Sequence, residues 1–105
     1  MTTAIDPTAF ISPSASIEDY VTIRENATIG ANVSIGAYAA IGAYATIGAG
    51  ATIGRAAIIS TGATIGGGAT IGKAAFIGEY ATIGKGAVIP AGATVSNGGI
   101  SRGMK

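Results

Sequence analysis

Residues 27–54 read ATIGANVSIGAYAAIGAYATIGAGATIG, and an isoleucine or its equivalent returns at every sixth residue of this stretch. The same spacing continues in both directions without an insertion, so that sixteen consecutive positions from Ile5 to Val95 hold a β-branched aliphatic residue. A small residue, most often alanine, stands two places before each aliphatic residue, and threonine is frequent directly before it. The chain is therefore an internal repeat with a period of six.

A period of six fits neither an amphipathic helix nor a plain alternating strand, whose periods are 3.6 and 2. A short strand followed by a turn does fit it. The aliphatic residue then points inward, its two neighbours point outward, and the small residue lies inside near a corner. Glycine or asparagine three places after the aliphatic residue, as at Asn26, Asn32 and Gly50, suits a tight turn with positive φ.

This pattern resembles the hexapeptide-repeat family of acyltransferases and γ-type carbonic anhydrases, and the resemblance covers Ile5 to Val95. It implies an all-β fold, a left-handed parallel β-helix shaped as a three-sided prism, with three hexapeptides in each of about five coils. The left hand of the winding comes from the resemblance alone. We place the repeat domain at residues 1–95 and a polar C-terminal tail, expected to be frayed, at residues 96–105.

The composition argues against several classes of partner. Six Lys and Arg residues against five Asp and Glu residues leave no charge field that would gather nucleic acid or an anionic membrane. No cysteine is present, so a disulfide framework is excluded. The N-terminus shows no secretory pattern, and the uncharged segment 26–54 is too rich in Gly, Asn, Ser and Thr for a membrane helix. We predict a cytoplasmic protein without a nucleic-acid or membrane partner.

Histidine is the residue that the resemblance requires for catalysis. It implies a histidine base in the acyltransferases and three zinc-binding histidines in the carbonic anhydrases. This chain contains no histidine, so neither role transfers to any of its residues. The sequence therefore predicts no enzymatic activity, no metal site and no cofactor.

Three hexapeptides per coil place residues eighteen apart in one column, which sorts the outward residues onto three faces. We name each face by its first aliphatic residue: Ile5 for face A, Ile11 for face B and Ile17 for face C. The outward columns of faces B and C are ladders of Thr and Ser, whereas that of face A holds Ala40, Ile58 and Phe76. Face A is therefore the apolar face of the predicted prism.

Aromatic and charged residues fall at the two corners beside face A. Tyrosine and phenylalanine gathered with isoleucine on one face mark an interface more often than they cover a lone prism. Arg55 and Lys73 share one of these corners, and Glu79 lies at the other. We predict an oligomer interface formed by Tyr38, Ala40, Tyr44, Arg55, Ile58, Lys73, Phe76, Glu79 and Tyr80.

Three functions agree with these features. The leading prediction is a non-catalytic structural or interaction module, a homotrimer assembled through the face of Ile58 and Phe76, with the C-terminal end as a candidate contact for a larger assembly. The resemblance implies the trimer. The alternative is a small-molecule-binding or degenerate acyltransferase-like protein, whose ligand lies in clefts between subunits lined by tyrosines and by Arg55 or Lys73. A lesser alternative is an ice-binding protein that uses the Thr ladders.

Overall fold

The structure of the protein is a computed structural model, which describes residues 3–101. These residues form seventeen strands of two residues each and no helix. Within this range no helix is long and apolar enough to cross a membrane. The strands pair in parallel with partners eighteen residues away, so that Ile5 lies beside Ile23 and Ile59 beside Ile77.

Three parallel sheets form the three sides of the prism, and each matches one predicted face. Sheet A contains β1 (Ala4–Ile5), β4 (Thr22–Ile23), β7 (Ala40–Ile41), β10 (Ile58–Ile59), β13 (Phe76–Ile77) and β16 (Thr94–Val95). Sheet B contains β2 (Phe10–Ile11), β5 (Thr28–Ile29), β8 (Thr46–Ile47), β11 (Thr64–Ile65), β14 (Thr82–Ile83) and β17 (Ile100–Ser101). Sheet C contains β3 (Ser16–Ile17), β6 (Ser34–Ile35), β9 (Thr52–Ile53), β12 (Thr70–Ile71) and β15 (Val88–Ile89). The predicted left-handed parallel β-helix of about five coils is confirmed.

The interior is a column of isoleucine and alanine. Twelve isoleucines from Ile23 to Ile89 are at most 1% exposed, and the residues two places before them, ten alanines with Val21 and Val33, are buried as well. The outward residue that precedes each of these isoleucines is exposed or partly exposed. The predicted alternation of inward and outward residues is therefore confirmed.

The two ends of the prism differ from the sequence prediction. Ile5 is 44% exposed, and Ile11 and Ile17 are only partly buried, because no coil within the described residues covers the outer side of the first one. At the other end, β17 pairs with β14, so the coil continues through Ser101, past the predicted boundary at residue 95. The fraying of the tail stays a prediction. Residues 102–105 of the predicted tail lie outside the described residues.

Positive φ marks the turn position three places after the inward aliphatic residue. Glycine occupies many of these positions, but eight other residues adopt the same conformation, with φ between 57° and 67°: Tyr20, Asn26, Asn32, Tyr38, Tyr44, Ala56, Ala74 and Tyr80. For a non-glycine residue this backbone costs about 1–2 kcal/mol. The N–H of the turn residue donates a hydrogen bond to the preceding coil, as when Gly50 N–H donates to the carbonyl of Ala31 at 2.8 Å. The fold therefore tolerates large side chains at its corners at a modest cost.

Glycine directly after the aliphatic residue has a different cause. A Cβ atom on Gly48 would lie 2.6 Å from the backbone nitrogen of Gly67, and one on Gly36 would lie 2.6 Å from that of Arg55. These distances are shorter than carbon–nitrogen contacts allow, so the glycine columns let successive coils approach closely. Sheet A departs from the pattern with Arg24 and Ser60 in the equivalent positions.

The turns of the first coil are closed by side chains. The hydroxyl of Thr8 accepts the N–H of Asn26 at 3.0 Å, and the hydroxyl of Ser14 accepts that of Asn32 at 3.0 Å. The hydroxyl and N–H of Thr8 also donate to the carboxylate of Asp6, which lowers the pKa of that carboxyl. Side-chain hydroxyls thus take the place of the carbonyl acceptors used by later turns.

We expect Ile47→Asp to unfold the protein, because the carboxylate would be buried in the middle of the prism without a partner. The loss of stability should exceed about 4 kcal/mol, which is a large part of the stability of a small domain. Far-UV circular dichroism and thermal melting measure the effect. Thr46→Asp is the matched control, since Thr46 lies in the same strand and points outward. Full folding of the Ile47 variant would contradict the inward orientation.

Candidate functional site

The structure brings the nine residues of the predicted interface to one side of the prism. Ala40, Ile58 and Phe76 are neighbours in the outward column of sheet A, paired in register. Ile58 is 44% exposed and Phe76 is 38% exposed, so they form a contiguous apolar strip. The other six lie at the two corners that flank this sheet. Their placement is as predicted, and their role in an interface stays a prediction.

At the corner between sheets C and A, two tyrosine rings stack and an arginine contacts one of them. The rings of Tyr20 and Tyr38 lie 5.0 Å apart between centroids, with an interplanar angle of 8°. The guanidinium carbon of Arg55 lies 5.2 Å from the centroid of the Tyr38 ring. A cation–π contact of this kind contributes about 0.5–1 kcal/mol at an exposed site. Lys73 follows Arg55 one coil later, so this corner presents two cations in one column.

The corner between sheets A and B carries tyrosines and carboxylates. Tyr44 is 60% exposed and Tyr80 is 68% exposed. Glu25 and Glu79 occupy the neighbouring turn column and are exposed. The backbone holds these turns in place, since Tyr44 N–H donates to the carbonyl of Glu25 at 2.9 Å. We call the corner between sheets C and A the cationic corner, after Arg55 and Lys73, and the corner between sheets A and B the acidic corner, after Glu25 and Glu79. Asp19 shares the column of the two cations, and Arg24 lies beside Glu25.

A recess lies on sheet A beside the acidic corner. It is lined in one coil by residues 40–43, of which Ala40, Gly42 and Ala43 are small and Ile41 points into the core. Arg24 and Glu25 line it on one side, and Ile58, Ser60 and Thr61 line it on the other, with Glu79 at its edge. The recess thus combines an apolar wall with polar and charged groups, as ligand sites do.

The sequence prediction did not include Arg24, Glu25, Ser60 and Thr61 as members of this recess. A signal for two of them was present, because Arg24 and Ser60 stand directly after the aliphatic residue, where glycine is common elsewhere in the repeat. The recess itself depends on small side chains in one coil next to larger side chains in the neighbouring coils. This difference in size is seen only when residues eighteen positions apart are compared.

Faces B and C present the predicted ladders. Thr28, Thr46, Thr64 and Thr82 pair in register along sheet B. The glycine columns beside the ladders follow from the close approach of the coils, as shown for Gly48. Cross-strand threonine pairs stabilise a sheet by themselves. Within residues 3–101 no group of three or more acidic side chains could hold a metal ion.

The family of this chain is decided by its repeat. The family described as bacterial transferase hexapeptide (six repeats) matches residues 8–43, 32–67 and 50–85, which together cover most of the chain. The chain belongs to this family. A comparison with curated proteins finds no match.

Solved structures of acetyltransferases share the fold of this family member. The chain is 28% identical to a variant of perosamine N-acetyltransferase from Caulobacter crescentus, in which one histidine is replaced by asparagine and which was solved in complex with CoA and GDP-perosamine. The TM-score is 0.72, and the match covers 95% of this chain and 45% of that one. PerB from Caulobacter crescentus, with the same two ligands, is 28% identical with a TM-score of 0.50, over 96% of this chain and 52% of that one. The chain thus spans about half the length of these proteins.

These similarities correct two predictions. The non-catalytic structural or interaction module and the expected lack of enzymatic activity are wrong, because the structural neighbours are acetyltransferases with bound CoA. The predictions treated the lack of histidine as a lack of function. The histidine-to-asparagine variant of the neighbour still holds CoA and GDP-perosamine, so ligand binding in that protein does not depend on that histidine. The acyltransferase-like alternative agrees better with the comparisons.

Proposed function

We propose that this chain is the prism of a CoA-dependent acyltransferase that binds acyl-CoA in clefts between neighbouring copies. The observation that carries the proposal is the recess on sheet A beside the acidic corner, on the same side of the prism as the cations Arg55 and Lys73. Family membership and the two CoA-bound neighbours support the choice of ligand. The residues of the predicted interface then become the walls of the clefts.

A homotrimer of parallel prisms would create these clefts. Under a threefold axis the contact is heterologous, so the cationic corner of one copy meets the acidic corner of the next. Lys73 and Glu79 belong to one coil and would meet at nearly the same height. Burial of the Ile58 and Phe76 strip contributes roughly 3–5 kcal/mol per interface. Tyr38, Tyr44 and Tyr80 would form the rim around this strip.

The cationic corner supplies the contacts to phosphate in this proposal. Arg55 is held over the ring of Tyr38, so part of its rotamer freedom is already lost before a ligand arrives. A guanidinium matches phosphate oxygens with several N–H donors. Lys73, one coil away in the same column, is assigned to the contact with Glu79 of the next copy. The phosphates of CoA are the ligand groups that suit the guanidinium of Arg55.

The proton acceptor in this proposal is Glu25. Acyl transfer needs a base, because the acceptor amine loses a proton as it attacks the thioester carbonyl and the CoA thiol leaves. The chain has no histidine, and the side chains that line the recess and can act as a base are the carboxylates of Glu25 and Glu79. Glu25 lines the recess beside Arg24, whereas Glu79 is assigned to the contact with the next copy.

The trimer can be tested with two pairs of substitutions. Ile58→Lys with Phe76→Lys should yield a folded monomer, because these side chains point away from the core and would place charges in the interface. Light scattering measures the assembly mass, and circular dichroism checks the fold. The matched change on sheet B, Thr46→Lys with Thr64→Lys, should leave the trimer intact. A monomeric wild type, or dissociation of the sheet B variant instead, would assign the interface elsewhere.

Acetyl-CoA binding tests the assignment of the phosphate contacts. Arg55→Glu should weaken binding about tenfold or more, because it removes a cation and adds a like charge beside the phosphates. Isothermal titration calorimetry gives the dissociation constant. Lys85→Glu carries the same change of charge at the corner between sheets B and C and serves as the control. No binding by the wild type, or equal weakening by both variants, would reject the proposed site.

The role of Glu25 is tested by turnover. Glu25→Gln should lower the release of CoA from acetyl-CoA by about a hundredfold or more, with GDP-perosamine as the probe acceptor, because the amide cannot take up the proton. The dissociation constant of acetyl-CoA should stay within about twofold of the wild-type value, since an amide replaces a carboxylate of the same shape. Glu18→Gln, an exposed carboxylate on sheet C, is the control. Full turnover by the Glu25 variant would show that another group accepts the proton.

A further inference from the structure

The four tyrosines of this chain fall into two structural classes, although all four share the same backbone conformation. Tyr20 and Tyr38 stack on each other, and Arg55 covers the second ring. Tyr44 and Tyr80, at the corner between sheets A and B, are the two most exposed of the four, at 60% and 68%. Each of these residues carries the cost of positive φ. For Tyr20 and Tyr38, stacking within the chain offsets the cost of positive φ. For Tyr44 and Tyr80, no such stacking offsets it among the described residues.

Gly62 gives the second pair a specific geometry. It lies in the same corner column as Tyr44 and Tyr80, one coil from each. A Cβ atom on Gly62 would lie 2.5 Å and 2.6 Å from two carbons of the Tyr80 ring. The ring therefore occupies the space that a side chain at position 62 would fill. Ala56 and Ala74 adopt the same positive φ, so the turn itself does not require glycine. The glycine lets the Tyr80 ring lie against the corner.

The position of this corner relates it to the recess. Thr61, the residue before Gly62, and Glu79, the residue before Tyr80, both line the recess on sheet A. In the proposed trimer, Arg55 of the next copy lies at nearly the same height along the prism as Thr61 and Gly62. Arg55 and Thr61 are six positions apart in the sequence, and six positions rise by only a third of a coil. An exposed aromatic surface would then lie opposite a cation that contacts phosphate. A purine nucleotide carries both complementary groups, a flat base and phosphates.

We propose that Tyr80, seated over Gly62, and Tyr44 form a stacking platform for the purine ring of the bound ligand. This inference rests on the proposed function, which places a CoA-type ligand in the same cleft. A purine is supplied either by the adenine of CoA or by the base of a nucleotide-linked acceptor. Stacking on tyrosine is effective for both, because every base has a π-face. The platform would fix the base while the cationic corner holds the phosphates.

The experiment measures the dissociation constants of CoA, of GDP and of 4′-phosphopantetheine, which has no base, by calorimetry on the full chain. Tyr80→Asn should weaken the purine ligand about tenfold and leave 4′-phosphopantetheine unchanged, since asparagine keeps the turn conformation seen at Asn26 and Asn32. Gly62→Ala should produce the same selective loss with both rings present, because its methyl group displaces the Tyr80 ring. Gly68→Ala, which has open space around it, is the control.

The outcomes separate this inference from the function on which it rests. A selective loss for CoA identifies adenine as the occupant of the platform, and a selective loss for GDP identifies the base of the acceptor. Wild-type binding of CoA with unchanged affinities in both variants overturns the platform and leaves the proposed function standing. An equal loss for 4′-phosphopantetheine also overturns it, because the base is then not the group recognised. No binding of any probe by the wild type rejects both.

Discussion

The backbone ladder between coils requires eighteen residues per turn of the prism, and the rest of the structure depends on this constraint. Each strand has only two residues, so it is too short to be stable without parallel partners in the neighbouring coils. An inserted residue would move every later isoleucine from the interior to the surface. The sequence meets this requirement with an uninterrupted period of six. The glycines after the aliphatic residues also help to meet it, because they let the backbones of successive coils come within hydrogen-bonding distance.

The same constraint places outward residues eighteen positions apart in one column. Each of the three sides therefore has its own set of side chains and its own chemistry. From Val21 to Val95 the interior positions hold only isoleucine, valine and alanine, whereas the outward and corner positions vary. On sheets B and C that freedom produces ladders of Thr and Ser. On sheet A it produces an apolar strip, a cationic corner, an acidic corner and the recess beside the acidic corner. A binding site in this fold is therefore built by single substitutions within columns, without any added loop among the described residues.

The sequence was sufficient to predict the fold, the inward and outward residues and the corner of each tyrosine, because a strict repeat turns spacing into position. It was insufficient where neighbouring columns interact. The seating of Tyr80 over Gly62, the recess beside Arg24 and the exposure of Ile5 in the first coil depend on contacts between coils. The extension of the coil to β17 was missed because Ile100 and Ser101 follow a glycine pair that weakens the pattern. The prediction of an inactive protein was wrong because it inferred function from one missing residue type.

A crystal structure of the full chain with acetyl-CoA tests the central claim most directly. The account predicts three parallel prisms that contact one another through sheet A, with one CoA in each cleft. Its phosphates should lie beside Arg55 of one copy, and its thioester should lie in the recess at Glu25 of the next. CoA bound along the Thr ladders of sheet B or C, or a monomeric prism without CoA under saturating conditions, would contradict the account.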